Sequence, residues 1–336
     1  MTAGIEAIAY ALGSDVLTNE MLAARYPEWD VARLEGKTGV VSRPIAAEGE
    51  TALDLGERAC LLLDERGQLQ PETIDALIFC TETPDHPIPP NACVLHGRLK
   101  LRSAVIAFDI TLACSGYTYG LLLARSLIAG GAARRVLLVT GDTYSRLIHD
   151  RDRATRSLFG DGAAATVVSA AAPGLRILDV EACTAGSQYH RFIVEAGGAR
   201  TPKTEDTASE YTDRSGNIRT KENIEMDGLG VLSFFNSTIP GAVRTLLARH
   251  GLAVEDVDRF VFHQASHVAL DGIRRALAIP PDRFVSNLSQ TGNLVSASIP
   301  VALAQSLEAD PLPAGAKVVL CGFGVGLSWA TALVEV

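Results

Sequence analysis

No Cys-x-x-Cys pair, no Cys/His cluster and no basic tract occurs in the 336 residues. The six cysteines (Cys60, Cys80, Cys93, Cys114, Cys183 and Cys321) stand far apart. That spacing excludes the usual zinc frameworks and suggests free thiols in a reducing compartment rather than a disulfide scaffold. The formal charge of −9, without Arg/aromatic interleaving, argues against a nucleic-acid binder. No apolar run approaches the roughly 20 residues that a membrane-crossing helix needs. The opening MTAGIEAIAYALGSD carries Glu6 and no basic leader, so a signal peptide is not expected and the cytoplasm is the expected location. Aromatic residues are also few, at 6%, so the core must be built from aliphatic layers.

What the chain has is Ala, Val and Leu in alternating strand-like and helical patterns, enough for a large α/β core. The order of these patterns recurs. IDALIFCTETPD (74–85), a helix near 91–99, AVIAFDITLACSGYTYGLLLARSLIAG, ARRVLLVTGDTYS and SLFGDGAAATVVSA make up one series. VDRFVFHQASH (257–267), the helix VALDGIRRAL, RFVSNLSQTGNLVSASIPVALAQSLE and GAKVVLCGFGVGLSWATALVEV make up the other. Each reads strand, helix, strand, Gly-containing turn, helix, strand, strand. Two half-domains, 1–172 and 173–336, stacked on each other would give five layers with a cleft between them. The polar segment 186–227 breaks the rhythm. A segment so long and aperiodic is either a cover over a substrate tunnel or a disordered surface loop.

Three turns occupy equivalent places in the repeat. ACSG puts Cys114 at a strand-to-helix junction, FHQASH puts His263 at a strand end, and QTGNLVSASIP puts Asn293 between strand and helix. At a helix N-terminus the unpaired N–H groups and the dipole favour a thiolate, the reactive form of cysteine. Each residue also has a structural explanation: a small buried hydrophobe, a hydrogen-bonded histidine and a turn asparagine. Their joint placement in a duplicated fold weighs against three separate coincidences.

KTGV (37–40), ACSGYTYGL (113–121), RSLFGDGAAA (156–165), FHQASH (262–267), TGNLVSASIP (291–300) and GFGVGLSW (322–329) together resemble the β-ketoacyl-ACP synthase III family of the thiolase superfamily, over essentially the whole chain. The resemblance implies the thiolase fold, an α/β architecture of duplicated half-domains in five αβαβα layers. It implies a catalytic triad of Cys114, His263 and Asn293, with an oxyanion hole formed by the backbone N–H groups of Cys114 and Val325. The implied reaction is acylation of Cys114 by an acyl-CoA or acyl-ACP thioester, then decarboxylative Claisen condensation with malonyl-ACP or malonyl-CoA. The implied cofactor list is empty, with no metal, and the implied assembly is a homodimer that meets acyl carrier protein. Lys37 and Arg153 fall at the CoA entrance, and Ile88 where an aromatic residue often gates the acyl pocket. Arg274 and Arg275 offer a basic patch for an acidic carrier protein.

The chain also departs from the family's pattern. Lys37 replaces an arginine, and extra residues in DVARLEGK shift Trp29, which makes a carrier-protein-bound donor plausible beside CoA. Glu82 introduces a carboxyl where the family usually has none, in a context similar to hydroxymethylglutaryl-CoA synthases, and is a possible acid/base. Leu294 and Val295 add bulk after Asn293. These departures suggest a specialised fatty-acyl, polyketide or secondary-metabolite pathway. They leave open an acyltransferase that does not decarboxylate, a hydroxymethylglutaryl-type condensation using Glu82, and a silent thiolase-fold partner subunit.

Overall fold

The computed structural model describes residues 3–170 and 174–336. The expected junction between residues 172 and 173 lies outside the described residues. Nine strands form one sheet: β1 (Ala3–Leu12), β2 (Ala76–Cys80), β3 (Ile106–Ile110), β4 (Arg135–Asp142), β5 (Gly162–Ala170), β6 (Leu175–Thr184), β7 (Arg259–Phe262), β8 (Lys317–Gly324) and β9 (Ser328–Glu335). Their spatial order is β7-β8-β9-β6-β1-β5-β4-β2-β3. Seven helices frame the argument: α1 (Val31–Thr38), α2 (Ala52–Glu65), α3 (Asn91–Arg98), α4 (Gly116–Ala129), α5 (Gly228–Arg249), α6 (His267–Leu277) and α7 (Ser298–Ala309).

The duplication is visible in the strand directions. From its outer edge inwards the first half runs β3-β2-β4-β5-β1, with β2 parallel to both β3 and β4, and with β4–β5 and β5–β1 antiparallel. The second half runs β7-β8-β9-β6 with the corresponding directions, parallel and then twice antiparallel. The strand expected in RFVSNLS is reduced to one parallel bridge, Phe260 to Phe284, at the place where β3 stands in the first half. The halves join where Gly4 and Ile5 of β1 pair with Arg176 and Leu175 of β6.

Helices α2 and α3 cover one outer face and α5 and α6 the other, while α4 and α7 each touch strands of both halves. This is the expected five-layered αβαβα arrangement. Helix α4 occupies the middle layer because Tyr117, Leu121, Ala124 and Ile128 are buried at helical spacing. It lies close against the sheet because a Cβ on Gly120 would stand 2.5 Å from Leu138 Cδ1. Strands β2 and β4 are buried along their whole length, as parallel strands covered on both faces must be. Among the described residues, no helix is long and apolar enough to cross a membrane.

Candidate active site

Cys114 follows β3 through the turn Leu112–Ser115 and precedes the first residue of α4. Ser115 stands at the N-cap but places no side-chain bond on the helix. Its hydroxyl instead meets the Ser328 hydroxyl at 2.7 Å, and Ser328 Oγ donates to the Val325 carbonyl at 2.8 Å. The Cys114 turn is thereby tied to the Gly-rich turn of GFGVGLSW. A Cβ on Gly324 would lie 2.8 Å from Cys114 Sγ, so only glycine lets the two turns approach this closely.

The backbone N–H groups of Val325 and Cys114 face the thiol and favour its ionised form. Burial pushes the thiol well up, and the carboxylates of Glu82 and Asp142 push it further. The expectation that the helix N-terminus would favour a resting thiolate is therefore corrected: burial and two nearby carboxylates outweigh it, and the thiol rests protonated.

His263 leaves the end of β7, its backbone N–H donating to Cys321 O at 2.8 Å. Its ring stands edge-on to Phe323, with centroids 5.6 Å apart. Burial lowers its pKa to about 3, against a weaker opposing contact from the Val295 main chain, so the imidazole is neutral. Asn293 is fixed by its own backbone, whose N–H donates to Leu158 O at 2.9 Å and whose carbonyl accepts from Gly160 N at 3.0 Å. The Val295 N–H donates to Asn293 Oδ1 at 2.9 Å, which orients the amide so that Nδ2 lies 3.3 Å from His263 Nε2. Val295 achieves this at φ +53, an unusual conformation for a β-branched residue. Two side-chain nitrogens this close can share one substrate oxygen.

Cys114, His263 and Asn293 line one cavity of about 590 Å³, walled by Phe159, Phe192, Phe235 and Phe323. Segment 186–227 contributes to its wall and mouth. Phe192–Val194 pairs with Ile224–Met226, and a hairpin pairs Tyr211–Thr212 with Ile218–Arg219. Phe192, Asp213, Ser215, Asn217, Arg219 and Met226 from this segment all line the cavity. The hairpin is anchored by buried Arg219, which meets Asp213 at 2.7 Å and Asp152 at 3.3 Å.

At the mouth, Lys37 is exposed at the C-terminal end of α1, and the Arg153 guanidinium donates to the Ser215 carbonyl. Trp29 does not reach the cavity; it stacks on Tyr26 with centroids 4.2 Å apart. Ile88 is 83% exposed and lines no part of this chain's cavity. Arg274 and Arg275 both pair with Asp271, at 2.9 and 2.8 Å, and lie toward the far end of α6 from the cavity-lining residues Ser266, Val268 and Ala269. Leu294 and Val295 place the bulk they add after Asn293 in the core and are not among the cavity-lining residues.

Behind Cys114 lies a polar group of which the sequence had singled out Glu82 alone. Tyr144 Oη donates to Glu82, the Glu82 N–H donates to Asp142 Oδ1 at 2.8 Å, and Ser296 Oγ donates to Asp142 Oδ2 at 2.5 Å. Burial raises Asp142 to about 7 and also raises Glu82, which the Tyr144 bond partly offsets. Glu82 stood out in the sequence; for Asp142 and Tyr144 the signal available was the acidic and hydroxyl residues of TGDTYS at the end of a strand. Among the described residues, no group of three or more His, Cys, Asp or Glu side chains is placed to hold a metal ion.

Comparison with known proteins agrees with this geometry. Residues 108–186 match the family described as 3-oxoacyl-(acyl-carrier-protein) synthase III, and residues 247–336 match its C-terminal counterpart. The chain is 33% identical to the β-ketoacyl-(acyl-carrier-protein) synthase III of Campylobacter curvus, over 100% of this chain and 97% of that one. A crystal structure of a 3-oxoacyl-(acyl-carrier-protein) synthase III superposes with TM-score 0.96 at 43% identity, covering 100% of both chains. The priming β-ketosynthase of the R1128 polyketide pathway superposes with TM-score 0.85 at 27% identity, covering 99% of this chain and 96% of that one. The chain belongs to the β-ketoacyl-ACP synthase III family of condensing enzymes.

Proposed function

We propose that this enzyme builds a carbon–carbon bond in two half-reactions on one cysteine. Cys114 attacks an acyl thioester, releases the donor thiol and holds the acyl group as a thioester. The N–H groups of Cys114 and Val325 face the developing oxyanion, a contact whose loss typically costs about 3 kcal/mol. A malonyl thioester then enters. Nδ2 of Asn293 and the imidazole of His263 hold its thioester oxygen while carbon dioxide leaves and charge moves onto that oxygen. The resulting carbanion attacks the acyl carbonyl on Cys114 and frees a β-ketoacyl thioester. A neutral imidazole suits this role, because it stabilises the enolate without itself becoming an acid.

The observation that carries the reading is the convergence of thiol, imidazole and amide in one apolar cavity, with the last two 3.3 Å apart. Thiol, imidazole and amide suffice for both steps, so the reading requires no cofactor. We further propose acyl carrier protein as a partner, a cytoplasmic location and a homodimer. Strand β3 is an open edge of the sheet, and the loop bearing Ile88 projects outward beside it, positioned to complete a second copy's acyl pocket. The stacking of Trp29 on Tyr26 and the engagement of Arg153 by Ser215 favour a carrier-bound donor, and a specialised pathway accords with that preference.

The test is intact-protein mass after mixing with a panel of acyl-CoA and acyl-carrier thioesters, with Cys114→Ala as control, followed by malonyl-carrier protein. A Cys114-dependent adduct discharged as a β-ketoacyl product is expected. An adduct that malonyl thioesters never discharge would overturn the condensation and leave an acyltransferase. Full decarboxylation and condensation in His263→Ala would overturn the role given to His263.

A further inference from the structure

The two half-reactions above leave the Glu82 carboxyl without a task. Strands β2, β3 and β4 run parallel, with Cys80 level with both Ile110 and Thr140. Their carboxyl ends therefore release three segments side by side, where open α/β sheets place their ligands. The first carries Glu82, the second Cys114, and the third Asp142 and Tyr144. Thr81 N donates to Ile110 O at 3.2 Å, which holds the Glu82 segment against the Cys114 segment. The Glu82 N–H on Asp142 holds it against the third. Tyr144 belongs to the same apolar cluster as Cys114, and its ring packs 5.4 Å from that of Phe159 on the cavity wall.

The oxygens of Asp142 are already occupied by Glu82 N, Thr81 Oγ1 and Ser296, so it serves as an anchor. Among the described residues, only one oxygen of Glu82 is engaged, by Tyr144. Among its charged neighbours Glu82 acts most strongly on the Cys114 thiol. His263, the other candidate base, turns Nε2 toward Asn293.

We propose that Glu82 accepts the proton of Cys114 as the thiol attacks the incoming thioester, and returns it to the departing thiol. The Cys114 Sγ–carbon bond forms and the carbon–sulfur bond of the donor breaks. The proton passes from Sγ to the free oxygen of Glu82 and on to the leaving sulfur, and nothing is oxidised or reduced. Tyr144 is a positioning residue that fixes the other carboxylate oxygen. The chain thus divides its proton chemistry, with Glu82 serving the loading step and His263 with Asn293 serving the malonyl step. This inference rests on the acyl-Cys114 reading.

The experiment follows the two steps separately by rapid quench and intact mass on the full-length protein, using a thioester that loads the wild type. Glu82→Gln should load Cys114 about 100-fold more slowly, within the range expected for losing a general base. Once loaded by prolonged incubation, it should discharge to malonyl-carrier protein at the wild-type rate. Glu82→Asp should recover part of the loading rate, and Tyr144→Phe should slow loading less than Glu82→Gln does. Loading of Glu82→Gln at the wild-type rate would overturn the proposal. So would equal slowing of loading and discharge in all three variants, the signature of a structural role. A wild type that forms no Cys114 adduct with any thioester would overturn the underlying reading itself, and this inference with it.

Discussion

Replacing Gly324 by alanine tests the contact between the Gly-rich turn and the nucleophile. The added Cβ would stand 2.6 Å from Cys114 Cβ and 2.8 Å from its sulfur. Carbon contacts settle near 3.5–4.0 Å, so one turn must retreat by about 1 Å. A misplacement of that size typically costs about 100-fold in rate, and full loss of an oxyanion donor costs about 3 kcal/mol, so the two estimates agree. Overpacking should also lower stability by about 1–3 kcal/mol. The assay is the rate of acyl-Cys114 formation by time-resolved intact mass, beside a urea titration. Gly97→Ala is the control: the site lies in α3, its Cβ would meet nothing within 4 Å, and stability should rise by about 0.5–1 kcal/mol. If Gly324→Ala loads as fast as the wild type, the turn does not hold the Val325 N–H against the thiol and the oxyanion-hole reasoning fails.

Burial holds His263 at about 3 against an ordinary 6.5, so between those values the folded chain binds fewer protons than the unfolded one and this residue's contribution falls as pH falls. Relative to His263→Ala, the wild type should therefore lose up to about 1.4 kcal/mol per pH unit below 6.5, read from urea titrations at pH 7, 6 and 5; a pH-independent difference would refute it. Asp142, with its value raised to about 7, slopes the opposite way in both proteins and cancels from the comparison. Arg219→Met leaves Asp152 buried beside a missing partner, and should cost about 3–5 kcal/mol and speed amide exchange across hairpin 211–219. Ser115→Ala removes the hydroxyl link to Ser328, and should slow acyl loading, followed by time-resolved intact mass, by up to about tenfold, the equivalent of one net hydrogen bond.

Much of the fold was legible because its signals are local. Short apolar runs bounded by Gly, Pro and Asp mark the strands, and the recurrence of their order announced the duplication. RFVSNLS was read as a strand, but Val285 N–H bonds to Phe260 O only at the single bridge before Leu288–Thr291 turns away. Cys114, His263 and Asn293 stood out because each closes a motif at a strand end. The grouping of Glu82, Asp142 and Tyr144 did not, because it arises only when three parallel strands, separated in sequence by helices, finish at one level. The resting state of the thiol was misjudged for the same reason: a helix N-terminus can be read from sequence, while burial beside two carboxylates cannot. Arg274 and Arg275 read as a basic patch, and the structure adds that Asp271, on the same helix, pairs with both.

The open edge at β3 also bears on how the chain reaches its final state. Ile106, Phe108 and Ile110 stand on a strand with one unpaired side, the arrangement that templates strand-to-strand aggregation. Its one charge, Asp109, is drawn inward to accept from the backbone N–H groups of Asn91 and Ala92, where it caps α3 instead of guarding the edge. A newly folded copy thus presents β3 to any exposed strand it meets, unless a partner surface covers that edge first. Such irregular pairing depends on collisions between chains, so dilution during refolding should suppress it.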